Sequence, residues 1–192
     1  MTIDERLELF KKSGAFLEGH FLLSSGLHSP QYVEKFRVLE YPQYTEKLCY
    51  DIANHFRDDN VELVIGPMTG GILLAHEVAK SLSVKSMFTE RVDNVMSLRR
   101  GFYFNKGTRI LLVEDVVTTG GSIFEVIELI RKLGGDIVGV GYLVDRSGGK
   151  VDFGVPQFPL IKLDIITYKP EECPLCKEGK LPLVKPGSRK ID

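Results

Sequence analysis

A membrane-length apolar run is missing from these 192 residues, so no transmembrane helix is expected. The opening MTIDERLELF is charged and lacks the basic-then-apolar plan of an export signal. No excess of charge of either sign is present. The 25 basic and 26 acidic residues leave a formal net charge of -1, which gives no general attraction to nucleic acid or to an anionic membrane. Cysteine is scarce: Cys49, Cys173 and Cys176 are too few, and odd in number, for a disulfide framework, and they suit a reducing compartment, hence the cytoplasm. Two common phosphate fingerprints are also absent, GxxxxGK[ST] and a GxGxxG directly after a strand.

What is present is a 43% hydrophobic chain able to bury a full core, of a length that suits one domain with a small accessory element. Its most informative stretch is RILLVEDVVTTGGS, residues 109–122. Ile110, Leu111, Leu112 and Val113, then Val116 and Val117, form a nearly continuous apolar run, which suits a strand buried on both faces of a parallel sheet. Two carboxylates, Glu114 and Asp115, stand at its end. Thr118, Thr119, Gly120, Gly121 and Ser122 then precede a helical pattern, so successive backbone N–H groups can converge on an anion at a helix N-terminus. Such a cradle, lacking a lysine, takes phosphate, while the carboxylates take hydroxyls, a divalent cation or a developing positive charge; a sugar phosphate fits both ends. The alternative is an N-cap and turn without a ligand. Two charges at the end of a buried strand weigh against that, because burying them unpartnered is costly.

Elsewhere, Thr2 and Glu5 have capping-box spacing and open a helix to about Ser13. GHFLLSSGLHSPQYV, residues 19–33, has short strands at 21–23 and 32–33 around Ser25 and Gly26, and forms either a surface turn or a pocket wall. Residues 42–59 carry one helical face through Tyr44, Leu48, Ile52 and Phe56. A strand at 61–65, the turn GPMTGG ending at Gly70 and Gly71, and a helix to about Leu82 repeat the strand, glycine turn, helix plan; the turn is open to a second anion or to a structural role. Another strand is expected at 84–88. Residues 91–106 set Arg91, Arg99, Arg100 and Lys106 against Asp93 with weak periodicity. They read as a mobile loop before a short strand at 102–104, either a solvated basic turn or a closing loop that brings arginine to phosphate.

A helix at 122–133 and a strand at 137–144 lead to DRSGG, where Arg146 can clamp a carboxylate or pair with Asp145. Short strands are expected at 160–163 and 165–166. CPLC, from Cys173 to Cys176, has the spacing of half a zinc site. No second pair exists and no histidine lies near it in sequence, which weighs against a metal there, as the reducing compartment does against a redox disulfide. PLVKPGSRK beyond it either packs over the body or extends to a partner.

These residues carry a resemblance. VEDVVTTGGS resembles the phosphoribosyl diphosphate signature of type I phosphoribosyltransferases, and GHFLLSSGLHSPQYV resembles the N-terminal segment of orotate phosphoribosyltransferases. RRGF at Arg99, DRSGG at Asp145 and the CPLC…KPGSRK tail resemble the bacterial and archaeal variety, so the likeness spans nearly the whole chain. It implies an α/β type I phosphoribosyltransferase fold in a single domain, 1–192. A mostly parallel central sheet flanked by helices would occupy 41–170, with a small hood from 1–40 and a tail, 171–192, free to join it.

The activity implied is transfer of the phosphoribosyl group from 5-phospho-α-D-ribose 1-diphosphate (PRPP) to N1 of orotate, giving orotidine 5'-phosphate and diphosphate in UMP biosynthesis, with Mg2+ carried by PRPP and Asp115 a candidate contact. The alternatives are a purine phosphoribosyltransferase and a PRPP-sensing regulator of nucleic acid; the near-neutral charge weighs against the second. By resemblance, Glu114 and Asp115 hold the ribose hydroxyls, residues 118–122 bind the 5'-phosphate, Val116 and Val117 belong to the same PRPP-binding stretch, and Gly70 and Gly71 meet the diphosphate. Arg91, Arg99 and Arg100 offset leaving-group charge. Ser25, Gly26, Tyr32, Thr118 and Arg146 line the orotate side, Arg146 facing its carboxylate. Loop 91–101 would close over the neighbouring active site of a homodimer. The chain departs from many bacterial members at Ser24 and Gly70, where they carry lysine, and in a Lys-x-x-Lys-x-His loop of which only the first position is matched, by Arg91, with Asn94 and Met96 at the others.

Overall fold

The computed structural model describes residues 1–23 and 25–186; Ser24 and the basic end of the tail, 187–192, lie outside the described residues. In chain order the elements are α1 (Ile3–Lys12), β1 (Phe16–Leu22), β2 (His28–Val33), α2 (Phe36–Leu39), α3 (Pro42–His55), β3 (Leu63–Pro67), α4 (Gly70–Leu82), β4 (Lys85–Val92), β5 (Val95–Leu98), β6 (Arg109–Val117), α5 (Gly121–Lys132), β7 (Asp136–Asp145), β8 (Gln157–Lys162), a 3-10 turn (Pro170–Glu172), α6 (Pro174–Glu178) and β9 (Leu183–Val184). The capping box forms as spaced: Glu5 N–H donates to Thr2 Oγ1 at 3.2 Å and Thr2 N–H to the Glu5 carboxylate at 2.7 Å, satisfying two otherwise orphaned donors of α1. Among the described residues no helix is long and apolar enough to cross a membrane.

Six strands make the central sheet in the order β5-β4-β3-β6-β7-β8, parallel throughout except for β4 with β5. This is the α/β, mostly parallel sheet that the sequence led us to expect. β6 lies inside it, and its side chains alternate between two cores. Leu111 and Val113 pack with Leu48 and Ile52 of α3 and Leu74 of α4, while Ile110 and Leu112 pack with Val126, Ile127 and Ile130 of α5. Burial on both faces removes any need for polar alternation, which is why the strand reads as a continuous apolar run. Each such side chain contributes roughly 1.5–3 kcal/mol by leaving water, so a charge at Leu111 or Leu112 would undo one core layer.

A second, small sheet has the order β2-β1-β9. β1 and β2 form an antiparallel pair, and β9 lies parallel to β1 with His20 opposite Leu183 and Phe21 opposite Val184. The hood thus takes in part of the C-terminal tail.

Several local expectations are corrected. β1 and β2 run well beyond 21–23 and 32–33, since the ladder from Phe16–Val33 to Leu22–His28 pairs backbone groups regardless of side-chain pattern. Residues 91–98 are a hairpin rather than a mobile loop: β4 continues to Val92, Asp93 and Asn94 turn at φ 49 and 63, and β5 returns with Met96 buried. Asp-Asn is suitable chemistry for a two-residue turn with both central φ positive, and this signal was readable in the sequence. Residues 102–104 and 165–166 are not strands, and α3 stops at His55 instead of 59.

Candidate active site

Parallel strands deliver their C-terminal ends to one edge of the sheet, where the turns after them can share a ligand. Register fixes the details. Val117 lies opposite Asp145, so the turn at 118–122 stands beside Arg146, whose backbone N–H donates to Val117 O at 2.8 Å. Gly120 has φ +75, and a Cβ there would meet Phe153 at 2.8 Å and Val151 at 2.9 Å; only glycine makes this bend and still lets α5 start at Gly121. A cavity of about 250 Å3 opens over the turn, walled by Arg91, Glu114 and residues 118–122. Arg91 reaches it from β4, donating to Ser122 Oγ at 3.3 Å while forking onto Glu125 at 2.9 and 3.0 Å. The Glu125 carboxylate raises the Arg91 pKa further above the ordinary arginine value.

Glu114 and Asp115 end β6 with 8% and 3% exposure. Glu114 Oε1 accepts the Asp115 backbone N–H at 2.9 Å. Burial, and then the adjacent charge of Asp115, holds the Glu114 carboxyl well above the usual carboxylate range. Asp115 has a cationic partner, Lys35 Nζ at 2.7 Å, on the segment between β2 and α2. It also explains a glycine: a Cβ on Gly70 would overlap the Asp115 carboxylate.

A larger cavity, about 810 Å3, adjoins the first and shares Thr118, Thr119 and Ser122 with it. Its walls include Ser25, Tyr32, Lys35, Met68 and Arg146, together with Lys185 from the tail. The Arg146 guanidinium carbon stands 5.8 Å from the Tyr32 ring centre, and its Nε–H is buried with no hydrogen-bond partner among the described residues. Burial holds the Arg146 pKa below the usual arginine value. Pairing with Asp145 is not made, because Asp145 Oδ1 accepts from Ser147 N at 2.8 Å and Ser147 Oγ at 2.6 Å. A more open cavity of about 630 Å3 between α1 and α3, lined by Glu5, Leu9, Lys47 and Tyr50, contains none of these groups.

Comparison with known proteins agrees with this geometry. Residues 41–153 match the family described as Phosphoribosyl transferase domain. An orotate phosphoribosyltransferase of Caldanaerobacter subterraneus subsp. tengcongensis is 56% identical over 191 residues, covering 100% of both chains. This chain belongs to the orotate phosphoribosyltransferase family. A member from Desulforamulus reducens is 54% identical over 191 residues, again with 100% of both chains covered. The crystal structure of orotate phosphoribosyltransferase from Aeropyrum pernix superposes with a TM-score of 0.69 at 29% identity, over 81% of this chain and 92% of that one.

The fold brings most of the residues expected from the family resemblance to two adjoining cavities: Arg91, Glu114 and residues 118–122 at the first, and Ser25, Tyr32, Thr118 and Arg146 at the second. Asp115 and Gly70 meet beside them. Arg99 and Arg100 line neither cavity, and Arg100 is paired with Glu90 at 3.0 Å. Gly26 supports the turn before β2, its N–H donating to Leu23 O at 2.9 Å. Sequence reasoning missed Lys35 and Lys185. Neither sits in a spacing pattern; only the approach of the hood to the sheet edge places them.

Proposed function

We propose that this orotate phosphoribosyltransferase binds PRPP along the sheet edge and orotate under the hood, and exchanges the diphosphate on the ribose anomeric carbon for N1 of orotate. The observation that carries the reading is the sharing of Thr118 between the phosphate-sized cradle and a cavity that holds the unpartnered Arg146. A ligand anchored in both has a phosphate at one end and a planar acid at the other.

In this reading the N–H groups of residues 118–122 take the 5'-phosphate at the N-terminus of α5, and Arg91 adds charge there. Glu114 and Asp115 accept from the ribose 2'- and 3'-hydroxyls; Glu114, when protonated, also donates. The turn ending at Gly70 and Gly71 meets the diphosphate, with Gly70 leaving room for the Asp115 carboxylate beside it. Arg146 presents its guanidinium to the orotate carboxylate, and Tyr32 covers the ring. As the C1–O bond breaks, the leaving oxygens gain negative charge while positive charge develops on the ribose, where the Asp115 carboxylate, and Glu114 when ionised, favour it. Deprotonated orotate N1 then supplies the electron pair for the new C1–N bond, so no covalent enzyme intermediate is required. Catalysis is therefore placement and electrostatics, and one well-aimed charged contact is worth about 3 kcal/mol, roughly a hundredfold in rate.

Mg2+ travels with PRPP in this reading. The donor chemistry fits, since Asp115 offers hard carboxylate oxygen and already takes a cationic group at 2.7 Å. When bound, the ion neutralises diphosphate charge as a Lewis acid. In a homodimer the 91–101 segment would reach the neighbouring chain's site, giving Arg99 and Arg100 a role that their position within one chain does not.

The test is diphosphate release from Mg-PRPP with orotate, adenine, hypoxanthine, uracil or no base. Orotate-dependent release supports the proposal. Turnover of adenine without orotate moves the chain to the purine enzymes, and no turnover with salt-dependent binding of RNA or DNA moves it to a regulator.

A further inference from the structure

The hood contains a cluster that the transferase reaction does not use. His20 of β1, His28 of β2, and Cys173 and Cys176 at the start of α6 bring one donor atom each to within 4.8 Å of one another. His20 Nε2 is 3.0 Å from His28 Nδ1, 3.5 Å from Cys173 Sγ and 3.6 Å from Cys176 Sγ; Cys176 Sγ is 3.3 Å from His28 Nδ1. Hydrogen bonding does not explain this, because a single imidazole nitrogen has one proton or one lone pair and here faces three partners. A common central ion does. With Zn–S of about 2.3 Å and Zn–N of about 2.0–2.1 Å, a tetrahedron has edges of about 3.6 Å between S and N and about 3.3 Å between N and N.

We propose that His20, His28, Cys173 and Cys176 form a structural zinc site that clips the C-terminal tail to the hood. Two thiolates and two imidazoles are the donors zinc favours, and four protein ligands leave no position for a substrate, as in structural sites. His20 Nδ1 lies 3.4 Å from Leu181 O. In the tautomer with Nδ1–H donating to that carbonyl, the Nε2 lone pair points into the cluster, the usual outer support for a metal-bound imidazole. Binding is redox-neutral: each cysteine releases a proton to solvent as its thiolate joins the ion. A Cys173–Cys176 disulfide would instead need an oxidant and would leave both imidazoles without a function.

The tail has little else to hold it. From 170 to 186 Cys173 is the one residue in the buried class, α6 has five residues and β9 two, and isolated helices so short are unstable. The chain continues from β9 directly to Lys185 and Pro186 in the wall of the larger cavity. The clip therefore positions that wall without touching substrate.

Full-length protein, purified reduced and without added metal, is expected to contain about one zinc per chain by mass spectrometry. Cys176→Ser and His28→Ala should each fall below about a tenth of that, while Cys49→Ser retains it, Cys49 being buried in the main core. Cobalt substitution should give tetrahedral bands with thiolate-to-cobalt charge transfer, and removal of the metal should lower the melting temperature of the wild-type chain by several degrees. Should the cysteine variants fail to fold, the wild-type cobalt spectrum still decides. Wild-type protein that neither contains zinc nor binds it, stoichiometric iron in its place, undiminished zinc in Cys176→Ser, or a cobalt complex without thiolate bands would each overturn the proposal.

Discussion

Lys35 Nζ lies 2.7 Å from Asp115 Oδ2 and ties the segment after β2 to the end of β6. Lys35 also lines the larger cavity, so one ammonium joins hood to sheet and neutralises a carboxylate that is 3% exposed. Lys35→Ala should cost about 1–2 kcal/mol of stability, below the roughly 3–5 kcal/mol of a fully buried pair because the lysine is partly solvated. It should also raise the KM for PRPP. Chemical denaturation and initial rates check this; an unchanged midpoint together with an unchanged KM refutes the coupling.

Arg146 is half-buried and its buried Nε–H has no hydrogen-bond partner among the described residues, so its replacement removes a waiting donor without breaking an ion pair seen there. Arg146→Ala is expected to lower kcat/KM for orotate about a hundredfold, with PRPP binding changed less than about threefold. Equal losses for both substrates, measured by initial rates and PRPP titration, would remove the carboxylate role.

Gly70 and Gly121 offer a steric contrast. A Cβ at Gly70 overlaps the Asp115 carboxylate, whereas one at Gly121 meets only Thr119 Oγ1 at 3.8 Å. Gly70→Ala should therefore reduce kcat/KM for PRPP at least about tenfold by displacing Asp115, and Gly121→Ala far less. Reversal of that order would show that Asp115 is not the group Gly70 accommodates. Lysine at position 70, found in many bacterial relatives by resemblance, would require a different carboxylate position from the one here.

Glu114 gives the protein a pH signature. Its folded-state pKa is raised, first by burial and then by Asp115, so the folded chain keeps a proton that an unfolded glutamate loses near about pH 4.3. This contribution is complete below that pH and is lost as pH rises towards the raised value. Glu114→Gln should flatten the decline in stability between about pH 5 and 8 relative to wild type. Denaturant midpoints across that range measure it, and parallel wild-type and variant curves would contradict the assignment.

The 91–101 segment can be tested across chains. Co-expression of Arg146→Ala with an Arg99→Ala, Arg100→Ala double variant should restore about a quarter of wild-type activity if the segment serves the partner, since half the dimers are mixed and each has one intact site. If it serves its own chain, no mixed dimer contains an intact site and activity stays at the level of the separate variants.

The edge that carries the candidate site was legible because its pattern is local. An apolar run buried on both faces, two carboxylates and a glycine bend occupy fourteen consecutive residues, 109–122, and their order along the chain is their order in space. The hairpin at Asp93 and Asn94 was also readable, but weak side-chain periodicity obscured a turn signal that backbone chemistry carried.

The sequence by itself determined the α/β plan, the glycine bend after β6 and the family, since these follow from side-chain pattern over short distances. Tertiary structure alone decided that Lys35 neutralises Asp115, that Arg146 has no side-chain partner among the described residues while Ser147 occupies Asp145, and that CPLC lies against His20 and His28. Cys173 is 153 residues from His20. No spacing rule reaches that far, because what joins them is the pairing of β9 with β1, a contact that exists only once the tail has folded back onto the hood.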